Sequence, residues 1–336
     1  MKIAVMEGIK KIVIRDIPEP VLEKDEVLIR VKYCGICGSD LHIYETGATI
    51  GAGHELSGEI AEKGTAVKGW KIGDRVIRGP RSMSYTACGG GCFWCSRGEI
   101  ELCENCDVGI LEYKSGFATY VKGKYHQLYK LPRWLSYEEA ALTEPTAVAV
   151  HAINQAKIQV GDVVAVLGLG PIGQLVARLA RISGAKAIYA TEKSQARIKL
   201  AEDVVDEVID VNVVDPVSRI LELTEGRGAD VVFECSGSAS ASLQSTLLVR
   251  KGGTVVVVAI CMDSFVFPFG TINLRELTIK GSMAWNIRDY ATAFDLITER
   301  KINVAPLVTT RIPLDDINEA FEKALRGEGG KIMIKP

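Results

Sequence analysis

Asp162–Ile182 reads D-V-V-A-V-L-G-L-G-P-I-G-Q-L-V-A-R-L-A-R-I. Its first half is an apolar run without polar alternation, the pattern of a strand buried on both faces of a parallel sheet. Its second half, from Ile172, reads as a helix. Between them stand Gly168, Leu169, Gly170, Pro171, Ile172 and Gly173. A lone G-x-G-x-x-G is common in turns; what gives it meaning is a strand directly before and a helix directly after, and both are here. Gly168 permits the tight turn, Gly170 lets backbone approach a pyrophosphate, and Gly173 lets helix pack on strand. The helix start adds N–H groups and positive potential for the phosphates.

Working outward, the next apolar run, A-K-A-I-Y-A-T, ends at Glu192, 19 positions after Gly173. A carboxylate there accepts hydrogen bonds from the adenosine ribose and repels a 2′-phosphate, which favours NAD over NADP. Lys193 and Arg197 are the cations that could pair with such a phosphate, so NADP stays open. The runs D-V-V-A-V-L, A-K-A-I-Y-A, D-E-V-I-D-V, D-V-V-F-E-C and G-T-V-V-V-V-A-I alternate with helical stretches. That is a βαβ array, and it predicts the α/β class with a doubly wound parallel sheet.

The flanks read differently. M-K-I-A-V-M-E-G-I-K-K-I-V-I-R-D-I alternates like a strand pair, and short strands with Gly turns continue through the first 80 residues. L-S-Y-E-E-A-A-L-T-E-P-T-A-V-A-V-H-A-I-N-Q-A is helical, with Ser136 and Glu139 at capping-box spacing. After Lys280 the chain reads helix, extended, helix, and a last strand in G-G-K-I-M-I-K-P. The simplest division is a β-rich domain made of residues 1–148 and 282–336, with an inserted nucleotide-binding domain at 149–281.

Composition narrows the classes. The chain has 336 residues, 47% hydrophobic and 24% charged, with 40 Lys+Arg against 42 Asp+Glu. Such a chain has enough apolar material to fold, and a net charge of −2 gives no global pull toward nucleic acid or an anionic membrane. No apolar run reaches the roughly 18 residues of a membrane span. The N-terminus lacks the apolar core and cleavage site of a signal peptide, so a cytoplasmic protein is expected.

Nine Cys need an explanation, and five of them, Cys88, Cys92, Cys95, Cys103 and Cys106, fall in one short loop. In a reducing compartment clustered thiols are more often metal ligands than disulfides. Cys92-x2-Cys95-x7-Cys103 has structural-zinc spacing, with Cys88 or Cys106 left to complete four thiolates. A second constellation is Cys37-Gly38-Ser39-Asp40-Leu41-His42 followed by Gly53-His54-Glu55. Cys, His and carboxylate are zinc ligands, and a catalytic site takes three of them and keeps one position open. Cys34-x2-Cys37 as a redox pair lacks a surrounding thioredoxin-like pattern.

At these residues the sequence resembles the zinc-dependent medium-chain dehydrogenases, and within them the sorbitol dehydrogenase-like polyol branch. Gly35–His42 (G-I-C-G-S-D-L-H), Gly53-His54-Glu55-x2-Gly58-x5-Gly64 and Thr143–His151 (T-E-P-T-A-V-A-V-H) carry the likeness, which extends over essentially the whole chain. The resemblance implies a GroES-like β-rich catalytic domain plus a Rossmann domain. It implies a catalytic zinc on Cys37, His54 and a carboxylate, either Glu55 or Glu144, with Asp40 orienting the His54 ring. It implies a proton path from the alcohol through Ser39 and the nicotinamide ribose to His42. Further cofactor contacts are implied at Ala259, Ile260 and Met283. The structural zinc would sit on Cys88, Cys92, Cys95 and Cys103, with Cys106 as alternate to Cys88. In the family the first of these ligands precedes the second by three positions. Here that place is Gly89, and a bulge in Gly89–Gly91 would bring Cys88 into reach.

The implied reaction is NAD-linked oxidation of a secondary alcohol, a polyol or sugar, to its ketone. Threonine, butanediol and aldose dehydrogenases are the alternatives within the family. From another class, a catalytically silent nucleotide-binding protein would not need Cys37, Ser39, His42, His54, Glu55 and Glu144. Besides the cofactors, the partner expected is a small-molecule alcohol or polyol substrate, with neither nucleic acid nor membrane. A homodimer or homotetramer is expected, with a sheet edge near T-V-V-V-V-A-I available for pairing.

Overall fold

In a computed structural model, which describes residues 1–47, 52–79, 91–103 and 115–336, the chain opens with an antiparallel hairpin of β1 (Lys2–Gly8) and β2 (Lys11–Asp16). β3 (Glu26–Gly35) follows and leads through Ile36 and Cys37 into α1 (Gly38–Thr46). Then come β4 (Glu55–Lys63), β5 (Arg75–Arg78), β6 (Tyr120–Lys124) and β7 (Leu128–Lys130). The helical stretch after residue 135 is two helices, α2 (Tyr137–Ala141) and α3 (Thr143–Ala156). The capping box at the start of α2 is formed: Ser136 Oγ accepts the Glu139 N–H at 3.1 Å and Glu139 reaches back to the Ser136 N–H at 3.2 Å.

The middle of the chain is β8 (Val163–Leu167), α4 (Pro171–Ile182), β9 (Ala187–Glu192), α5 (Gln195–Lys199), β10 (Glu207–Asp210), α6 (Pro216–Leu223), β11 (Ala229–Glu234), α7 (Ala239–Leu248), β12 (Val249–Val257), α8 (Phe269–Arg275) and β13 (Thr278–Gly281). Its six strands are all parallel, in the order β10-β9-β8-β11-β12-β13. This is the doubly wound Rossmann order, whose ligand crevice lies at the carboxyl ends where the winding reverses, between β8 and β11. β8 and β11 are buried along their whole length, as the apolar run of β8 and the apolar centre of β11, Val231, Val232 and Phe233, require. One expectation is corrected. The T-V-V-V-V run lies in β12, which is paired on both sides, so it is not a sheet edge; the edge on that side is β13.

The chain ends with α9 (Ile287–Thr298), β14 (Val308–Pro313), α10 (Ile317–Leu325) and β15 (Lys331–Lys335). β14 and β15 join the N-terminal strands in a sheet ordered β14-β15-β3-β4-β5-β7, with β6 also pairing β3. The long β3 makes this possible, since it pairs β4, β6 and β15.

The chain divides into two compact units: Met1–Ala147 with Asn286–Gly327 and Lys331–Pro336, and Val148–Trp285 with Glu328–Gly330. The first unit's core gathers Val27, Ile29 and Val31 of β3 with Ile60, Val76, Ile332 and Ile334. Phe321 of α10 seals it, its ring centroid 5.0 Å from Tyr44 and 5.7 Å from Phe117. The second unit's core is the inner sheet face, Ala165, Leu167, Val232 and Val255, closed by Ile220 and Leu248. Among the described residues no helix is long and apolar enough to cross a membrane.

Candidate functional site

Ile36 donates its N–H to the Ile332 carbonyl at 3.1 Å, which stitches the run after β3 to β15. Cys37 then caps α1 in extended backbone. Asp40, at the third helical position, reaches back and accepts the Cys37 N–H at 2.8 Å. Its other oxygen accepts the Gly53 N–H at 3.2 Å. Asp40 is wholly buried, and burial raises its pKa although His54 and these N–H groups oppose the rise. One carboxylate thus fixes the backbone beside two predicted ligands, Cys37 and His54.

The His54 ring has Nδ1 3.9 Å from Asp40 Oδ1 and Nε2 4.0 Å from Glu144 Oε1. These are too long for hydrogen bonds. Asp40 therefore acts on His54 through the Gly53 peptide and through charge, not by a direct bond to the ring. Burial disfavours an imidazolium here, yet the Cys37 sulfur, Glu144 and Asp40 hold the ring's pKa well above its ordinary value. The field around this ring favours added positive charge.

Glu55 opens β4 opposite Gly35 of β3 and is wholly buried. Its Oε1 accepts a hydrogen bond from Lys331 Nζ at 2.6 Å. Its Oε2 is buried with no hydrogen-bond partner among the described residues. A buried carboxylate oxygen left without a donor is costly. Donor atoms of Cys37, His54 and Glu55 all lie within 4.8 Å of one another. Thiolate, imidazole and carboxylate so gathered, around an oxygen in need of a cation and a field that favours one, fit a zinc ion. Glu144, in the first turn of α3 and 8% exposed, joins the group as a neighbour of the His54 ring. Ser39 and His42 lie on α1, both half-buried, three positions apart and so on adjacent turns of one helix face.

In the cysteine loop, donor atoms of Cys92, Cys95 and Cys103 also lie within 4.8 Å of one another. Cys92 and Cys103 sulfurs are 3.8 Å apart, and the Cys95 N–H points at the Cys92 sulfur at 3.4 Å. A three-residue 3₁₀ turn, Cys95–Arg97, bends the chain so that this happens. Cys88 and Cys106 lie outside the described residues.

The second unit places Gly168–Gly173 at the carboxyl end of β8. Gly168 has φ +88°, and a Cβ on Gly173 would lie 1.9 Å from the Gly168 carbonyl oxygen, so no side chain fits at that crossing. Gly170 caps α4, with Pro171 in its first turn. Glu192, at the end of β9, is buried: Oε2 accepts the Leu169 N–H at 2.8 Å, and Oε1 accepts the N–H groups of Lys193 at 2.8 Å and Ser194 at 3.0 Å. It therefore ties the glycine turn to β9. Arg197 is held by the Gly329 carbonyl at 3.0 Å, with a guanidinium nitrogen 3.7 Å from where a Cβ on Gly170 would stand. Lys193 is exposed. Ala259 and the exposed Ile260 follow β12, beside the turn at Gly237, and the exposed Met283 follows β13. These residues lie at the carboxyl ends of strands of one sheet or, as Gly173 and Arg197 do, in the helices that follow directly.

Sequence reasoning missed Lys331. It is buried, and besides Glu55 it donates to the Ile36 carbonyl at 2.9 Å. A lysine opening the terminal strand K-I-M-I-K was the one available signal, and surface-strand lysines look the same.

Comparisons with known proteins agree with this geometry. Residues 23–133 match the family model for the alcohol dehydrogenase GroES-like domain, and residues 171–299 the model for zinc-binding dehydrogenases. A sorbitol dehydrogenase of Halalkalibacterium halodurans is 38% identical over 331 residues, covering 96% of this chain and 95% of the relative. The crystal structure of 2R,3R-butanediol dehydrogenase from Bacillus subtilis superposes with a TM-score of 0.87 at 34% identity, covering 100% of this chain and 99% of that one. A structure assigned as a zinc-binding dehydrogenase, from Sinorhizobium meliloti 1021 and bound to NADP, does so at 0.89 and 29% identity, covering 100% and 99%. The chain belongs to the zinc-dependent medium-chain dehydrogenases, in their polyol branch, and is an oxidoreductase of the zinc and NAD(P) type.

Proposed function

We propose that this chain oxidises the secondary alcohol of a polyol or sugar to the ketone, with NAD as hydride acceptor. The observation that carries the reading is that Cys37, His54 and Glu55 donor atoms lie within 4.8 Å of one another, while Glu55 Oε2 is buried and meets no hydrogen-bond donor among the described residues. These three residues would hold zinc, with Glu144 as the neighbouring carboxylate. Bound zinc supplies Lewis-acid polarisation of the alcohol oxygen, and bound NAD accepts the hydride.

The remaining work falls to the chain's own groups. Ser39 takes the alcohol proton and His42, on the same face of α1, passes it to solvent. Glu192 receives the ribose hydroxyls, which places NAD ahead of NADP; Lys193 and Arg197 are the groups that would meet a 2′-phosphate. Gly168–Gly173 receives the pyrophosphate, and Ala259, Ile260 and Met283 line the nicotinamide end. Cys92, Cys95 and Cys103, with Cys88 or Cys106 as fourth thiolate, would hold a second zinc whose role is to brace the loop. The first compact unit is thus the catalytic domain and the second the dinucleotide domain.

The relatives' names, sorbitol dehydrogenase and butanediol dehydrogenase, share a vicinal diol chemistry, and a 1,2-diol is the substrate element we infer here. A cytoplasmic homodimer or homotetramer is our reading of the assembly, supported by β13, a sheet edge paired only to β12 among the described residues. The test is direct: zinc-loaded protein mixed with NAD and a panel of polyols, sugars and butanediol should raise absorbance at 340 nm. Metallated protein that is silent with every alcohol would overturn the reading.

A further inference from the structure

Lys331 stands where no solvent reaches, 2% exposed, at the first position of β15. Its ammonium makes two bonds: 2.6 Å to Glu55 Oε1 and 2.9 Å to the Ile36 carbonyl oxygen. Glu55 is a candidate ligand, and Ile36 is bonded through its peptide to another, Cys37. The Ile36 N–H is in turn held by the Ile332 carbonyl at 3.1 Å, so β15 grips Ile36 through both its N–H and its carbonyl. We infer that Lys331 is a positioning residue for the metal centre: one buried ammonium sets the distance between the Cys37 and Glu55 donors and leaves Glu55 a single oxygen, Oε2, to give to the ion.

The physical case rests on cost. A lysine buried this deeply loses its hydration, and such a pair adds little or nothing to stability over an apolar pair of similar shape. What the apolar pair cannot do is occupy one carboxylate oxygen and reach a backbone carbonyl next to a thiolate. Gly35 completes the arrangement from the other side: a Cβ there would be 2.1 Å from Oε2. The carboxylate is therefore confined between an ammonium on Oε1 and a glycine backbone beside Oε2. Outer partners that orient metal ligands usually change metal affinity about 10–100-fold when removed.

The inference rests on the zinc reading above, and the experiment separates the two. Zinc per chain is first counted in the wild type; one equivalent, the loop's alone, would overturn the zinc reading itself. With two equivalents present, Lys331→Gln keeps a hydrogen-bond donor and removes the charge. It is expected to release zinc from this site to a chelator about 10–100-fold more readily, to change the visible spectrum of the cobalt-substituted protein, and to leave the loop zinc in place. Lys331→Arg, which keeps a cation, is expected to restore both the wild-type release and the wild-type spectrum. An unchanged cobalt spectrum in Lys331→Gln overturns the inference, as does tighter zinc, the result of merely removing a nearby cation. If Lys331→Gln fails to fold, Lys331→Met, which keeps the apolar stem and drops both bonds, is read in its place, and an altered cobalt spectrum supports positioning. A Met variant with the wild-type spectrum and wild-type zinc release makes the pair a fold element only.

Discussion

Gly35 and Glu55 face one another across the β3–β4 ladder, and the carboxylate of Glu55 occupies the space into which a side chain at position 35 would grow. The nearest oxygen, Oε2, would be 2.1 Å from that first carbon. Glu55 is wholly buried and its other oxygen is anchored to Lys331, so it has little room to step aside. Gly35→Ala is expected to cost about 1–3 kcal/mol in stability, the usual price of overpacking. It should also move Glu55 off its ligand position. Zinc content per chain should fall from two toward one, with catalytic activity falling alongside. An alanine variant with full zinc and full activity would show that Glu55 is not held for the metal.

The two zinc sites are expected to fail differently. Donor atoms of Cys103, Cys92 and Cys95 lie within 4.8 Å of one another, and by our reading a zinc there braces the loop and takes no part in the reaction. Structural zinc contributes directly to folding, because its ligands are brought together only in the folded chain. Cys103→Ser should remove one zinc equivalent and lower Tm by more than about 5 °C. Below that temperature kcat per zinc-retaining chain should stay close to wild type. Calorimetry with metal analysis reads both effects, and a loss of turnover with unchanged Tm would reverse the assignment of this loop.

Glu192 has two duties that can be told apart. It accepts the Leu169 N–H at 2.8 Å, which shapes the glycine turn, and by our reading it receives the ribose hydroxyls. Losing the first duty weakens any dinucleotide; losing the second weakens NAD alone. A hydrogen bond to a charged group contributes about 1.5–3 kcal/mol, or roughly 10–150-fold. Glu192→Ala should therefore lower kcat/KM for NAD by about 10–100-fold while NADP loses less or gains, since a repulsive carboxylate is gone and Arg197 remains. Steady-state kinetics with both cofactors gives the ratio. An unchanged ratio would mean that Glu192 serves the turn and not the ribose.

Much of this was legible in residues because the physics is local. β8 announces itself as an unbroken apolar run and β11 by its apolar centre without polar alternation, since strands covered on both faces need no polar side. The glycine turn is readable because only its spacing lets a helix close on a strand. The capping box of α2 is likewise written in Ser136 and Glu139. What stayed hidden is non-local. β13, T-I-K-G, is short and half-exposed because it closes the sheet's edge, so it carries no buried-strand pattern and the edge was placed one strand too far in. Lys331 is 276 positions from Glu55, and nothing in K-I-M-I-K says that its first lysine is buried and its last is not. Asp40 stands 3.9 Å from the His54 ring, and its oxygens bind the Cys37 and Gly53 N–H groups, an arrangement set by how α1 and the Gly53 turn approach each other and not written in the sequence.

Asp230 supplies the pH dependence. It sits near the start of β11, with Oδ2 accepting the Val163 N–H of β8 at 2.8 Å and Oδ1 taking Arg250 at 2.5 Å and Arg227 at 3.0 Å. Burial works to raise its pKa, but the Val163 N–H and the two guanidinium groups outweigh it and hold the carboxyl below the usual aspartate value. Unfolded, it titrates near 4. The unfolded chain therefore takes up this proton at a higher pH than the folded one, and its binding disfavours the fold. Asp230 contributes its full stabilisation above the unfolded value and loses it as pH falls through the lower folded value. Asp230→Asn keeps the shape and removes the charge. At pH 7 it should be less stable by about 1–3 kcal/mol, read as a lower Tm. The gap between variant and wild type should stay constant from pH 7 to about 5 and narrow steadily below about 4. A gap of equal size at pH 7 and pH 3 would mean that the carboxylate's charge contributes nothing to holding β8 against β11.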